Sequence, residues 1–299
     1  MRPTHMRPPS NLDLLAPGTR CDPVQADIWW FMLPRVSSDG RRQLLIVATF
    51  VLAIVLNAAA NIVPLNGQTT GEISDRFQVF VVPAGYVFSI WGLIYVGQLA
   101  FVLYTLWPRN REDPLLRRMG LLPAAVATLN GLWIVLWHYE VFPLTVVVMV
   151  GLLVSLIALY QRAGFDRTAR PGPGGLRGAD RWLVQVPFSL YLGWITVATI
   201  ANVATVGQWA GVSTFGVPPE LVAAVVLAVG LVIAATVLLR TADVTYGAVI
   251  IWAYVGIVVK ELATDWVPLV AGASVVIVAL LVVAALSGRL PLARPRATG

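Results

Sequence analysis

Apolar runs long enough to cross a bilayer recur eight times in this chain, at about residues 42–63, 83–106, 120–138, 141–160, 182–206, 219–239, 244–260 and 266–287. The hydrocarbon core of a bilayer is about 30 Å thick and a helix rises about 1.5 Å per residue, so roughly 20 apolar residues span it. With 58% hydrophobic and 12% charged residues over 299 positions, the chain carries more apolar surface than a water-soluble domain of this size buries. Lipid is the solvent such a composition requires. The expected fold class is an all-α polytopic membrane protein of about eight transmembrane helices.

The charges between the runs set an orientation. Arg41 and Arg42 precede the first run, Arg109, Arg111, Arg117 and Arg118 lie between the second and third, and Arg162, Arg167, Arg170, Arg177 and Arg181 lie between the fourth and fifth. Arg240 follows the sixth run, and Arg289, Arg294 and Arg296 follow the eighth. A count of eight puts all of these on one side. The opposite connections hold only Arg76, Lys260 and His138 against Glu72, Asp75, Glu140, Glu220, Glu261 and Asp265. The excess of arginine near span ends predicts a cell (plasma or inner) membrane protein with both termini in the cytoplasm.

Residues 1–41 read as a cytosolic tail, because no apolar core starts near Met1 as a signal peptide requires. Within that tail, Trp29 to Leu33 form either an interfacial helix or one sticky patch. The segment 164–181, rich in Gly and Pro, is flexible punctuation. The lone Cys21 excludes an intrachain disulfide and a thiolate metal site. No basic stripe interleaved with aromatics points to nucleic acid.

The runs themselves are nearly free of ionisable residues, which disfavours ion-coupled transport, since such transporters place a costly charge at membrane depth. No nucleophile–base set, paired carboxylate or metal-ligand cluster converges in them, so catalysis is not expected. What they hold is rings beside uncharged polar groups. Phe88, Trp91, Tyr95 and Gln98 share a helical face by steps of three and four; so do Asn130, Trp133 and Trp137, and so do Tyr191, Trp194, Ala198 and Asn202. If three neighbouring helices turn these stripes toward one another, they line a cavity suited to a flat apolar ligand. Ordinary packing, with amides bonding across helices and tryptophans anchoring at the interface, is the alternative. Asn57 and Asn61, four apart, either join that site or staple the bundle. Leu156, Tyr160 and Arg162 fit the loose pattern proposed for sterol contact, and an interfacial anchor is the simpler reading.

At these stripes the sequence resembles the tryptophan-rich sensory protein (TspO/translocator protein) family. The run from Val82 to Tyr104, VPAGYVFSIWGLIYVGQLAFVLY, is similar to that family's second helix, with Pro83, Tyr86, Phe88, Trp91 and Tyr95 at matching positions. LNGLWIVLW, from Leu129 to Trp137, resembles the third helix, and LYLGWITVATIAN, from Leu190 to Asn202, the fifth. The resemblance covers about residues 42–206. It departs from the family in the first loop, which lacks tryptophan, and at Leu190, which stands where a proline is expected, with Pro187 three residues earlier.

The resemblance implies a five-helix bundle over 42–206 around a pocket that binds porphyrins and, in animals, cholesterol. Three additional helices over 207–287 and a cytosolic tail over 288–299 complete the expected layout. The implied lining is Tyr86, Phe88, Trp91, Tyr95, Asn130, Trp133, Trp137, Tyr191, Trp194, Ala198 and Asn202. The implied role is a receptor or carrier for a tetrapyrrole or sterol-like molecule, with a porphyrin or heme-type ligand, membrane lipid and a second copy of the chain as the expected partners. The competing expectations are a membrane scaffold with no small ligand and a facilitative transporter of an amphipathic metabolite.

Overall fold

A computed structural model describes residues 38–165 and 178–290. The tail with Trp29 to Leu33 and Cys21, and most of the Gly- and Pro-rich segment, lie outside the described residues. Each apolar run is a helix: α1 (Ser38–Ile62), α3 (Ile90–Leu106), α5 (Leu122–His138), α6 (Phe142–Ala163), α8 (Val186–Trp209), α9 (Pro219–Thr241), α10 (Val244–Lys260) and α11 (Val267–Leu286). Three short helices join them, α2 (Thr70–Asp75), α4 (Pro114–Met119) and α7 (Gly178–Asp180). Six of the long segments are long and apolar enough to cross a membrane, and α5 and α10 are shorter apolar helices of 17 residues each, close to the lower limit for a span.

Local sequence explains where the helices start. Proline sits in the first turn of α5, α6, α9 and α11, where its missing N–H costs no intrahelical bond. In α8 the proline lies inside a continuous helix. Residues Arg181–Gln185 continue into α8 as a π-helical turn, so Pro187 does not end the helix, because the widened turn makes room for its ring against the preceding carbonyls. Pro187 then lies at the α3 seam, where a Cβ on Gly97 would meet Pro187 Cβ at 3.3 Å.

Five helices close into a ring in the order α1, α3, α8, α6, α5 and back to α1. Against the outside of α8 packs α10, and α11 packs on α10 and α9. The aromatic stripes predict three neighbouring helices. Of those three, α3 and α8 touch, while α5 faces them across the ring from between α1 and α6.

The two ends of the ring are tied differently. At one end, Asp39 accepts from Arg42 at 2.7 Å and from Arg117 at 2.6 Å, and Asp243 accepts from Tyr160 at 2.7 Å and Ser189 at 2.5 Å. At the other end the chain between α1 and α3 folds over the mouth of the ring. Asn66 donates to the His138 carbonyl at 3.0 Å, and Arg76 pairs with Glu140 at 2.7 Å. Phe77 sets its edge on Phe142 at 5.5 Å, and Lys260 of α10 donates to the Val82 carbonyl at 3.2 Å. Within this cover, Thr69 and Glu72 cap α2 reciprocally, satisfying two of its orphan N–H groups.

Candidate functional site

Under the cover, inside the ring, lies a cavity of about 40 Å³. It is lined by Phe88 and Trp91 from the α3 side, Trp133 and Trp137 from α5, and Trp194, Ala198 and Asn202 from α8. All seven are among the residues singled out in the sequence. The rings pack in two groups: Phe88 sets an edge on Trp194 at 5.7 Å and Trp91 does so on Trp194 at 6.0 Å, while Trp133 stacks on Trp137 at 5.5 Å. Such offset and edge contacts use the ring quadrupole favourably.

Tyr95, Asn130 and Tyr191 lie instead around a second, smaller space deeper in the ring, together with Gln98. Tyr86 lines neither space. It is 46% exposed and sets its edge on Trp252 of α10 at 5.5 Å, on the outer face of the bundle. Thr199, inside the run that resembles the family's fifth helix, donates to the Ile195 carbonyl of its own helix at 2.6 Å.

The cavity also has walls that the stripes did not announce. Thr70 and Ser74 form part of its roof from α2, with Val82 and Pro83 from the chain that follows, and Val197, Ala201 and Thr205 extend the α8 face. Thr205 follows Asn202 by three and Ala198 by seven, so it was reachable by the same helical spacing. For Thr70 and Ser74 the signal was the Thr69-x-x-Glu72 pattern, which marks a helix start in what otherwise reads as a polar connector.

The polar groups of the two spaces divide into staples and unpartnered atoms. Asn57 donates to Asn130 Oδ1 at 2.8 Å and so joins α1 to α5, while Asn202 Nδ2 donates to Thr145 of α6 at 3.1 Å. Trp137 Nε1 donates to the Thr70 carbonyl at 3.3 Å, tying α5 to the cover. Left without a partner are Trp133 Nε1, Trp194 Nε1, Asn202 Oδ1 and Thr70 Oγ1 around the upper cavity. No acidic or basic side chain lines either space. A buried polar atom without a partner is costly in a protein interior. Two indole donors and one amide acceptor facing an apolar cavity are therefore suited to an uncharged, mostly apolar guest bearing a few hydrogen-bonding atoms.

A family model described as TSPO-like protein matches residues 43–287. The chain belongs to the TSPO-like protein family. The match does not stop at the fifth span, near residue 206, where the resemblance read from motifs ended; it runs on through α9, α10 and α11. In this TSPO-like protein the last three helices are therefore part of the matched unit. No curated protein and no solved structure matches the chain. The family, together with the membrane-spanning helices, makes this a multi-pass membrane protein of a receptor or carrier type.

Proposed function

We propose that this protein binds a planar, hydrophobic small molecule, tetrapyrrole-like in shape, in the aromatic cavity between α3, α5 and α8, and acts as its membrane receptor or carrier. The observation that carries the reading is the convergence of Phe88, Trp91, Trp133, Trp137, Trp194, Ala198 and Asn202 on one cavity free of ionisable side chains. A flat guest replaces ring–ring contacts by ring–guest contacts of the same kind, so opening the network to admit it forfeits little stacking.

At about 40 Å³ the cavity is small, whereas ligand pockets of drug-sized molecules run from roughly 300 to 1,000 Å³. Binding thus requires the tryptophans to part. That same small volume favours a second reading, a membrane scaffold in which the rings are packing alone.

The two readings separate in one titration. Detergent-purified protein is titrated with protoporphyrin and with hemin, following tryptophan fluorescence and the porphyrin absorption band. The receptor reading expects saturable quenching that is lost in Trp91→Ala and Trp194→Ala and kept in Trp252→Phe, since Trp252 lies outside the cavity. Quenching unchanged in the first two variants sinks the site assignment, and no saturable binding at all leaves the scaffold.

A further inference from the structure

The chain just before α3, residues 82–89, is a wall between two spaces. On its inner side Val82, Pro83 and Phe88 line the aromatic cavity. On its outer side Ser89 and then Ile90 of α3 line, with Leu190 of α8 and Trp252 of α10, a groove of about 320 Å³. Leu93, also on the groove, and Trp252 are exposed, so the groove opens on the outer face of the bundle. The wall itself is not α-helical: it runs through a turn into the 3-10 stretch Gly85–Ser89.

One face of α10 holds this wall. Trp252, Gly256 and Lys260 follow one another by four and so share that face, and each makes a hydrogen bond to the backbone of the wall. Trp252 Nε1 donates to the Val87 carbonyl at 3.1 Å, the Gly256 carbonyl accepts from the Ala84 N–H at 3.2 Å, and Lys260 Nζ donates to the Val82 carbonyl at 3.2 Å. Gly256 is where the two come closest. A Cβ there would lie against Val87 Cγ2 and 3.2 Å from Pro83 Cβ, so a larger residue pushes the wall off the helix. Non-helical backbone at membrane depth needs protein partners for its polar groups, and α10 supplies them here. Tyr86, which lines neither interior space, sets its ring edge on Trp252 of this same face.

We propose that α10 is a latch: its Trp252–Gly256–Lys260 face holds the 82–89 wall shut, and its release opens the aromatic cavity sideways into the outer groove. That a guest passes this way rests on the ligand reading given above. An apolar guest partitions into lipid rather than water, and the groove lies in its path. The cover, by contrast, presents Glu72, Asp75 and the Arg76–Glu140 pair. The wall belongs to the covered end of the ring, so a guest that uses it comes from the half of the bilayer on that side.

Two measurements on the full-length protein in detergent test this. The first needs no ligand. Lys260→Met keeps the length of the side chain and removes its donor, so amide exchange at Ala84 and Val87 should speed by about fivefold, the factor one hydrogen bond carries, while exchange in α2 stays as in the native chain. Unchanged exchange at Ala84 and Val87 in a folded Lys260→Met, or equal speeding in α2, overturns the latch. The second ties the latch down. A Cβ on Gly256 lies 3.4 Å from Val87 Cβ, close to the roughly 3.5–4.5 Å of a disulfide, so Val87→Cys with Gly256→Cys in a Cys21→Ser background should cross-link on oxidation. A pair that does not cross-link contradicts the contact itself. Protoporphyrin is then mixed with the protein and tryptophan quenching is followed in time. Oxidation is expected to slow quenching by about tenfold and reduction to restore it, and Arg76→Gln, which breaks the tie of the cover to Glu140, should leave the native rate. Equal rates in the oxidised and reduced pair, or a rate raised by Arg76→Gln alone, put entry past the cover and overturn the gate. Failure of protoporphyrin to bind in either state removes the ligand reading of the cavity, and the exchange measurement alone then decides whether α10 holds the wall.

Discussion

Asn57 and Asn130 are one unit, and the energetics of the interior amides follow from that. Removing Asn57 leaves Asn130 Oδ1 unpaired, and removing Asn130 leaves Asn57 still bonded to the Ala53 carbonyl. A double-mutant cycle of Asn57→Ala and Asn130→Ala, read by thermal unfolding in detergent, should give a coupling of about 0.6 kcal/mol and no more than about 1.7 kcal/mol, the range for hydrogen bonds between membrane helices. Strict additivity would mean the pair is not formed. The sequence offered two roles for Asn57, site or staple, and the bond to Asn130 makes it the staple. Residues on regular helix were the legible ones: Trp91, Trp133, Trp194 and Asn202 fall on faces set by the 3.6-residue turn, and they line the cavity. Tyr86 came in by motif alone. It sits five residues before Trp91, about 140° away around an α-helix at about 100° per residue, and on a 3-10 turn, Gly85–Ser89. Neither geometry carries it onto the Trp91 face.

The elements around the cavity differ in how they respond to perturbation. The hydrogen bonds from the Thr69 backbone and hydroxyl hold the Glu72 carboxyl below its ordinary value of 4.5. A carboxyl with a lowered value in the fold stabilises it fully above the ordinary value, and that contribution is lost as pH falls through the lowered one. Below about pH 4.5 the cap of α2 therefore weakens. Hydrogen exchange over residues 70–75, corrected for intrinsic rate, should show protection falling in acid in the native chain. In Glu72→Gln the acid dependence should be gone; a fall of the same size there would put the titration elsewhere. The α8–α10 seam is limited by close packing instead. A Cβ on Gly193 would lie 2.9 Å from Val249 Cβ and 3.2 Å from the Tyr246 carbonyl. Gly193→Ala should cost about 1–3 kcal/mol as overpacking, read as a lowered melting temperature. Gly92→Ala, whose Cβ meets nothing within 4 Å, is the control and should be near neutral. The cover was illegible as structure because α2 is only six residues long, too short for an apolar period to show. The seam was illegible because sequence does not say which of two lipid-compatible faces will meet another helix.

For the whole molecule, the order α1, α3, α8, α6, α5 could not be read from the chain, since connector length says which helices run antiparallel but not how a ring closes. Orientation is a separate expectation, because it depends on where charges fall relative to span ends rather than on packing. The arginine-rich end of the ring holds Arg42, Arg111 and Arg117 bound to Asp39, Gln43 and the Arg111 carbonyl; the covered end holds Glu72, Asp75, Glu140, Glu261 and Asp265 against Arg76 and Lys260. From the positive-inside bias we propose that the cover, and the mouth of the cavity beneath it, lie on the extracytoplasmic side. Cys21 is the chain's single cysteine and so reports on the terminus without mutation. A membrane-impermeant maleimide should leave it unlabelled in intact cells and label it after permeabilisation. A cysteine placed at exposed Asp75 in a Cys21→Ser background should label in intact cells. Labelling of Cys21 in intact cells would invert the molecule, and a guest reaching the cavity past α2 would then arrive from the cytoplasm, which makes the side of the cover the fact that decides from which compartment any ligand is drawn.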